Sequence, residues 1–117
     1  MTPDAFHDAA LALPGGAYEV KWGDHRTYCA GGKMFAMAGA IGEAEPRYGF
    51  KASELTFEML IEQGLAEPMP YLQRAKWVRL CAHDSLTDDD LVAYLVQSHA
   101  IIAAKLTKTA RRALGIG

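Results

Sequence analysis

Two glycine-bearing links, Gly23-Asp24 and Gly31-Gly32, are separated by only six residues, and that spacing leaves room for little except tightly folded antiparallel strands. From Tyr18 the pattern has a period of two. Tyr18, Val20 and Trp22 alternate with Glu19 and Lys21, as in a strand with one face on a core. Two successive hairpins are therefore expected between Tyr18 and Ala38. A fourth strand is expected from Arg47 to Ala52, after the loop from Gly39 to Pro46, and a fifth from Lys76 to Leu80.

Helices are expected on either side of this β region. Thr2-Pro3-Asp4 supplies a cap, a proline tolerated in the first turn and an acid at the positive end of the dipole. Phe6, Ala9, Ala10 and Leu13 then repeat at helical spacing until Pro14-Gly15-Gly16 stops the run. Ser53 caps a second expected helix, with Leu55, Phe57, Leu60 and Ile61 inward and Gly64 as its stop. Thr87 followed by three aspartates opens the last helix, whose inner stripe reads Leu91, Leu95, His99, Ile102 and Leu106. The order α-β-β-β-β-α-β-α defines a two-layer α+β fold, an antiparallel sheet of about five strands with helices on one face. It is expected as a single domain over 1–117, with a basic tail from about Lys105.

With 117 residues, half of them apolar, the chain can bury roughly two-thirds of the surface its unfolded form exposes. No apolar run approaches the roughly 20 residues of a membrane span, and no basic lead precedes an apolar run at the start. A cytoplasmic location without membrane association is the expectation. Cys29 and Cys81 are too few for a disulfide framework or a four-ligand zinc site, so neither metal nor cofactor is expected. The formal charge of −2 excludes a globally basic nucleic-acid binder, yet the cations are unevenly placed. From Met69 to His83 there is no acid, and Lys105, Lys108, Arg111 and Arg112 close the chain without one.

If both links are two-residue turns, the register is fixed and directly opposed residues share a face. Val20, Trp22, Thr27, Cys29, Met34 and Ala36 then form the side that helices cover. Glu19, Lys21, Arg26, Tyr28, Lys33, Phe35 and Met37 form the other. Lys21 would stand opposite Arg26, a like-charge pair that an anion would relieve. Arg47 and Lys51 from the fourth strand, and Trp77 and Arg79 from the fifth, extend that face. A mixture of cations and aromatics suits nucleic acid, because phosphates seek Lys and Arg while unstacked bases lie on aromatic rings. The bland alternative is a charged solvent face whose aromatics are covered by a loop or a second subunit. A bulge in either hairpin would exchange the two faces.

No catalytic constellation is legible. Gly31-Gly32-Lys33 lacks the spacing and the following helix of a phosphate loop. Asp24-His25 has no matched nucleophile, and Cys81-Ala82-His83-Asp84 falls short of a zinc ligand count. His99 reads as a core histidine, the Thr87 acids as a helix start, and the row Glu54, Glu58, Glu62 as a solvated face. The basic tail fits phosphates and a helix C-terminus equally well.

Several short segments, taken in order, carry a resemblance: Glu19-Val20-Lys21-Trp22-Gly23-Asp24-His25, Gly32-Lys33-Met34-Phe35-Ala36, Pro70-Tyr71-Leu72, Lys76-Trp77, and Gln97-Ser98-His99 running to Ala104-Lys105-Leu106. In that order the chain resembles the MmcQ/YjbR family from Phe6 to about Leu106. His99 stands where members often show Tyr. The resemblance implies a two-layer α+β fold of frataxin-like or secretion-chaperone-like arrangement, and a DNA-binding role in which projecting hairpins act as paired wings.

The expectation is thus a non-enzymatic DNA-binding or regulatory domain. Lys21, Arg26, Lys33, Arg47, Lys51 and Arg79 would meet phosphates, with Tyr28 and Trp77 as stacking surfaces. One alternative is an interaction module that receives a peptide or a second copy as a homodimer. A lower-ranked one is frataxin-like iron binding, for which the first helix offers only Asp4 and Asp8.

Overall fold

Each long helix begins where a hydroxyl can close its first turn. In the computed structural model, which describes residues 1–116, the Thr2, Ser53 and Thr87 side chains accept from the backbone N–H three residues on. They open α1 (Pro3–Leu11), α2 (Glu54–Glu62) and α3 (Asp88–Ala103). Thr107 caps a further short helix, α4 (Lys108–Ala113), within the basic tail, an element the sequence pattern does not announce.

The strands are β1 (Gly16–Lys21), β2 (His25–Ala30), β3 (Lys33–Ala40), β4 (Gly49–Lys51), β5 (Ala66–Pro68) and β6 (Trp77–Leu80). They form one sheet in the order β1-β2-β3-β4-β6-β5, with every neighbouring pair antiparallel. The α+β class and the order of elements stand as expected, but there are six strands. The extra one, β5, is too short to show a period of its own.

Helices cover one side of the sheet. Phe6 of α1 stacks on Tyr48 at 4.4 Å and meets Tyr28 edge-on, while Phe50 stacks on Tyr94 of α3 and Phe35 meets His99 of α3. The α3 stripe behaves as its spacing predicts: Leu91, Leu95, His99 and Ile102 are buried, and so is Leu106 just beyond the helix. His99 lies in the core, its Nε2 at 2.7 Å from the Pro14 carbonyl.

The register of the first hairpin differs from the two-residue reading, and the difference has a clear cause. Trp22 and Gly23 both take positive φ, 51° and 87°, so the link is three residues, Trp22-Gly23-Asp24. Lys21 consequently pairs with His25, and Val20 with Arg26. A one-residue slip sends every side chain to the opposite face. The Gly31-Gly32 turn does hold two residues, since Ala30 pairs with Lys33. A bulge follows it: Cys29 pairs with Met34 and Tyr28 with Ala36, which leaves Phe35 as the extra residue. Tyr18, Val20, Arg26, Tyr28, Phe35 and Ala36 therefore lie on the helix side. Glu19, Lys21, Thr27, Cys29, Met34 and Met37 lie on the other.

Candidate functional site

The side of the sheet without helices is partly roofed by the connection between β5 and β6. Met69 and Leu72 fold back over the sheet and pack with Met34, Met37 and Trp77. Between this roof and the β1–β2 hairpin runs a groove of about 650 Å³, lined by Trp22, His25, Met37, Arg47, Met69, Tyr71 and Arg79 among others. Most of its surface is apolar.

Two aromatic side chains stand on the rim of the groove, held there by unusual backbone. Trp22 is 62 % exposed and Tyr71 fully exposed. Tyr71 has φ 68°, and only Lys76 joins Trp22 and Tyr71 as non-glycine residues with positive φ among the described residues. Such a conformation costs about 1–3 kcal/mol at a non-glycine residue and tends to mark functional positions. Neither ring regains that energy by burial.

Two of the polar groups that line the groove, Arg47 and Arg79, share one carboxylate. Glu67, paired directly with Arg79 across β5 and β6, accepts from Arg79 Nε at 2.9 Å and Nη2 at 2.5 Å, and from Arg47 Nη1 at 3.1 Å. The hydrogen bond from Arg79 holds the Glu67 carboxyl below its ordinary range, with the Arg47 charge assisting. One carboxylate thus serves two guanidinium groups, which keep spare donors toward the groove. Glu43 in the lining and Glu67 bonded to both arginines beside it supply two carboxylates against the two guanidinium groups.

The eight residues expected to bind nucleic acid divide into three groups. Lys21, Lys51, Trp77 and Arg79 fall on the open side of the sheet by register, and Arg47, just before β4, joins them in the groove lining. Of these, Trp77 is 4 % exposed and serves as floor, so it is closed to stacking. Lys51 is tied to the Ala75 carbonyl, and burial lowers its pKa. Lys21 has Glu19 of its own strand at 3.8 Å.

Arg26 and Tyr28 are on the helix side, a correction that follows from the three-residue link. Arg26 donates to the Glu43 carbonyl at 3.0 Å, and its buried Nε has no partner among the described residues. Tyr28 is 1 % exposed, with its hydroxyl 2.9 Å from His7 Nδ1, and burial pushes its pKa up to about 12. Lys33 is exposed at the second turn, away from the groove. The expected opposition of Lys21 and Arg26 does not occur.

Trp22, His25, Glu43, Glu67, Met69 and Tyr71 are not among the residues that the sequence pattern selects for the site. Simple alternation turns Trp22 inward. Tyr71 carries one legible signal, an aromatic directly after a proline in a polar connection. Among the described residues there is no group of three or more His, Cys, Asp or Glu side chains placed to hold a metal ion, and no helix is long and apolar enough to cross a membrane.

A family model described as YjbR matches residues 11–101, which spans the first hairpin, the groove and most of α3. No curated protein matches the chain.

Proposed function

The chain belongs to the YjbR family, and on that premise we propose that it is a non-enzymatic DNA-binding domain that holds an unpaired stretch of strand across the open side of its sheet. The observation that carries this reading is the pair of exposed rings, Trp22 and Tyr71, set on one groove by left-handed backbone. Stacking of a base on an aromatic side chain contributes about 1–3 kcal/mol and tolerates any base. Arg47, Arg79 and Lys21 supply the phosphate contacts.

The balance of charge decides the kind of binding. A duplex reader relies on many phosphate contacts, and this face has few cations left after Glu67 and Glu43 are counted. Stacking dominates instead, so affinity depends only gently on salt. For about three phosphate contacts on a single strand the log–log slope is about −2.

The test is fluorescence anisotropy with a labelled single strand of about 12 nucleotides, a length within the usual site size, against the matching duplex. Preferential single-strand binding that is lost in Trp22→Ala/Tyr71→Ala supports the reading. Equal binding by that variant and the parent, or no binding by either, removes it.

A second reading is favoured by the floor alone. Met34, Met37 and Met69 around Trp77 form a flexible apolar bed of the kind that accepts varied apolar side chains from a peptide. Direct binding of a labelled acidic, Leu-rich peptide in the absence of any oligonucleotide binding would select it.

A further inference from the structure

We propose that β1 is a dimerisation edge, which pairs antiparallel with β1 of a second copy of this chain about a two-fold axis at Val20. The sheet has two outer strands of different character. β5 has three residues and ends in Pro68, which has no N–H to offer. β1 has six residues, no proline, and an unbroken register with β2. No described strand lies on its other side. Its outward N–H and C=O groups form a template, and Tyr18 and Val20 beside them are 40 % and 41 % exposed.

The side chains of β1 identify the partner, because the strand reads onto itself. In an antiparallel pair that keeps like faces together, the axis falls on one residue, and positions equally distant from it oppose each other. An axis at Glu19 sets Glu19 against Glu19. An axis at Tyr18 sets Val20 against Gly16 and Lys21 against Gly15. An axis at Val20 sets Glu19 against Lys21 of the second copy, twice by symmetry, with Val20 against Val20 on the other face; the strand ladder between copies then spans Glu19 to Lys21, and Tyr18 meets Trp22 of the other copy's turn.

Only the last register satisfies both charges and the apolar contact. A lysine on an edge strand ordinarily repels a second copy and protects the edge. Here Glu19, two residues away, converts that protection into a register key. Glu19 and Lys21 are only 3.8 Å apart within the strand, a long and partly exposed contact that exchange with the second copy would multiply.

In the paired state the six strands of each copy run into one continuous sheet, with both grooves on the same side. The proposal rests on backbone and charge alone and stands whether or not the groove binds DNA. Its readout is assembly, not ligand affinity.

The test is sedimentation velocity on the full chain from about micromolar to about millimolar concentration, with circular dichroism as the check on folding. A reversible monomer–dimer equilibrium is expected. Glu19→Lys and Lys21→Glu should each raise the dimer dissociation constant by about tenfold or more, since each turns two attractions into repulsions. The double swap, Glu19→Lys with Lys21→Glu, should restore it. Hydrogen exchange of the β1 amides should slow as the dimer forms. A parent that stays monomeric throughout, a swap as monomeric as the single variants, or a dimer with unprotected β1 amides would each overturn the proposal.

Discussion

Arg79 delivers two hydrogen bonds to a single oxygen of Glu67, and the same oxygen also receives Arg47. The carboxylate therefore sets how much positive charge the groove presents. Because these donors depress the folded-state pKa of Glu67, its contribution to stability is present above the ordinary value of 4.5 and is lost as pH falls through the lowered value. The group is partly exposed, so solvent screens the effect. Glu67→Gln is expected to flatten the stability–pH curve below about pH 4.5, as followed by urea unfolding. The same change removes the negative charge that neutralises both guanidinium groups and leaves their hydrogen bonds weaker, on a neutral acceptor. Single-strand affinity at low salt should rise, and the log–log salt slope should steepen by about 0.7 for each additional phosphate that the guanidinium groups engage.

Trp22 and Tyr71 present a conflict between stability and binding that a glycine can expose. Glycine adopts positive φ without steric cost, although its freedom in the unfolded chain offsets part of the gain. Tyr71→Gly is expected to raise unfolding stability by about 1 kcal/mol, since the exposed ring has no packing to lose. Binding of the single strand should weaken by about 1–3 kcal/mol. Denaturant unfolding and anisotropy on the same preparation measure both. A variant that loses stability would show that the ring supports the fold.

Much of the fold is legible in the sequence because helices and turns are local. The caps at Thr2, Ser53 and Thr87 and the stripe from Leu91 to Leu106 are written in short windows, and the structure places each of them where those windows do. The faces of the sheet are less accessible. They depend on whether Trp22 belongs to a strand or a turn, and nothing in its identity favours a left-handed backbone. That single ambiguity moves Arg26 and Tyr28 to the helix side. The groove is harder still, because Met69 and Tyr71 reach it from a connection whose path is set by tertiary packing.

Tyr28 separates the corrected face from the expected one. Its ring is buried and its hydroxyl meets His7, so neither is free to stack on a base. In the core, Tyr28→Phe breaks the contact with His7 and is expected to cost about 1 kcal/mol of stability with no change in single-strand affinity. Burial also raises the pKa of Tyr28 and of Tyr48 to about 12. Above pH 10 the unfolded chain ionises these phenols while the native state holds its protons, so stability falls as pH rises. Each group accounts for about 1.4 kcal/mol per pH unit in that window. Tyr28→Phe should shift alkaline unfolding, followed by far-ultraviolet circular dichroism, to higher pH relative to its own stability at pH 7.

Gly49 holds the floor of the groove in place by what it lacks. A Cβ there would overlap the terminal methyl of Met69 and come within 3.3 Å of the Val78 carbonyl. Gly49→Ala must therefore displace Met69, whose flexible end can move, from its packing with Met37 and Trp77. The expected cost is about 1 kcal/mol, and Trp77 emission should shift to the red as its cover leaves. Met69→Ala alone should cost about 2 kcal/mol by leaving a void. With Met69 already truncated, the added Cβ keeps only its close approach to the Val78 carbonyl. The double variant should be less destabilised than the two losses added together, by more than about 0.5 kcal/mol. Additive losses in urea unfolding would mean that Met69 does not lie over Gly49, and the floor of the groove would have to be redrawn.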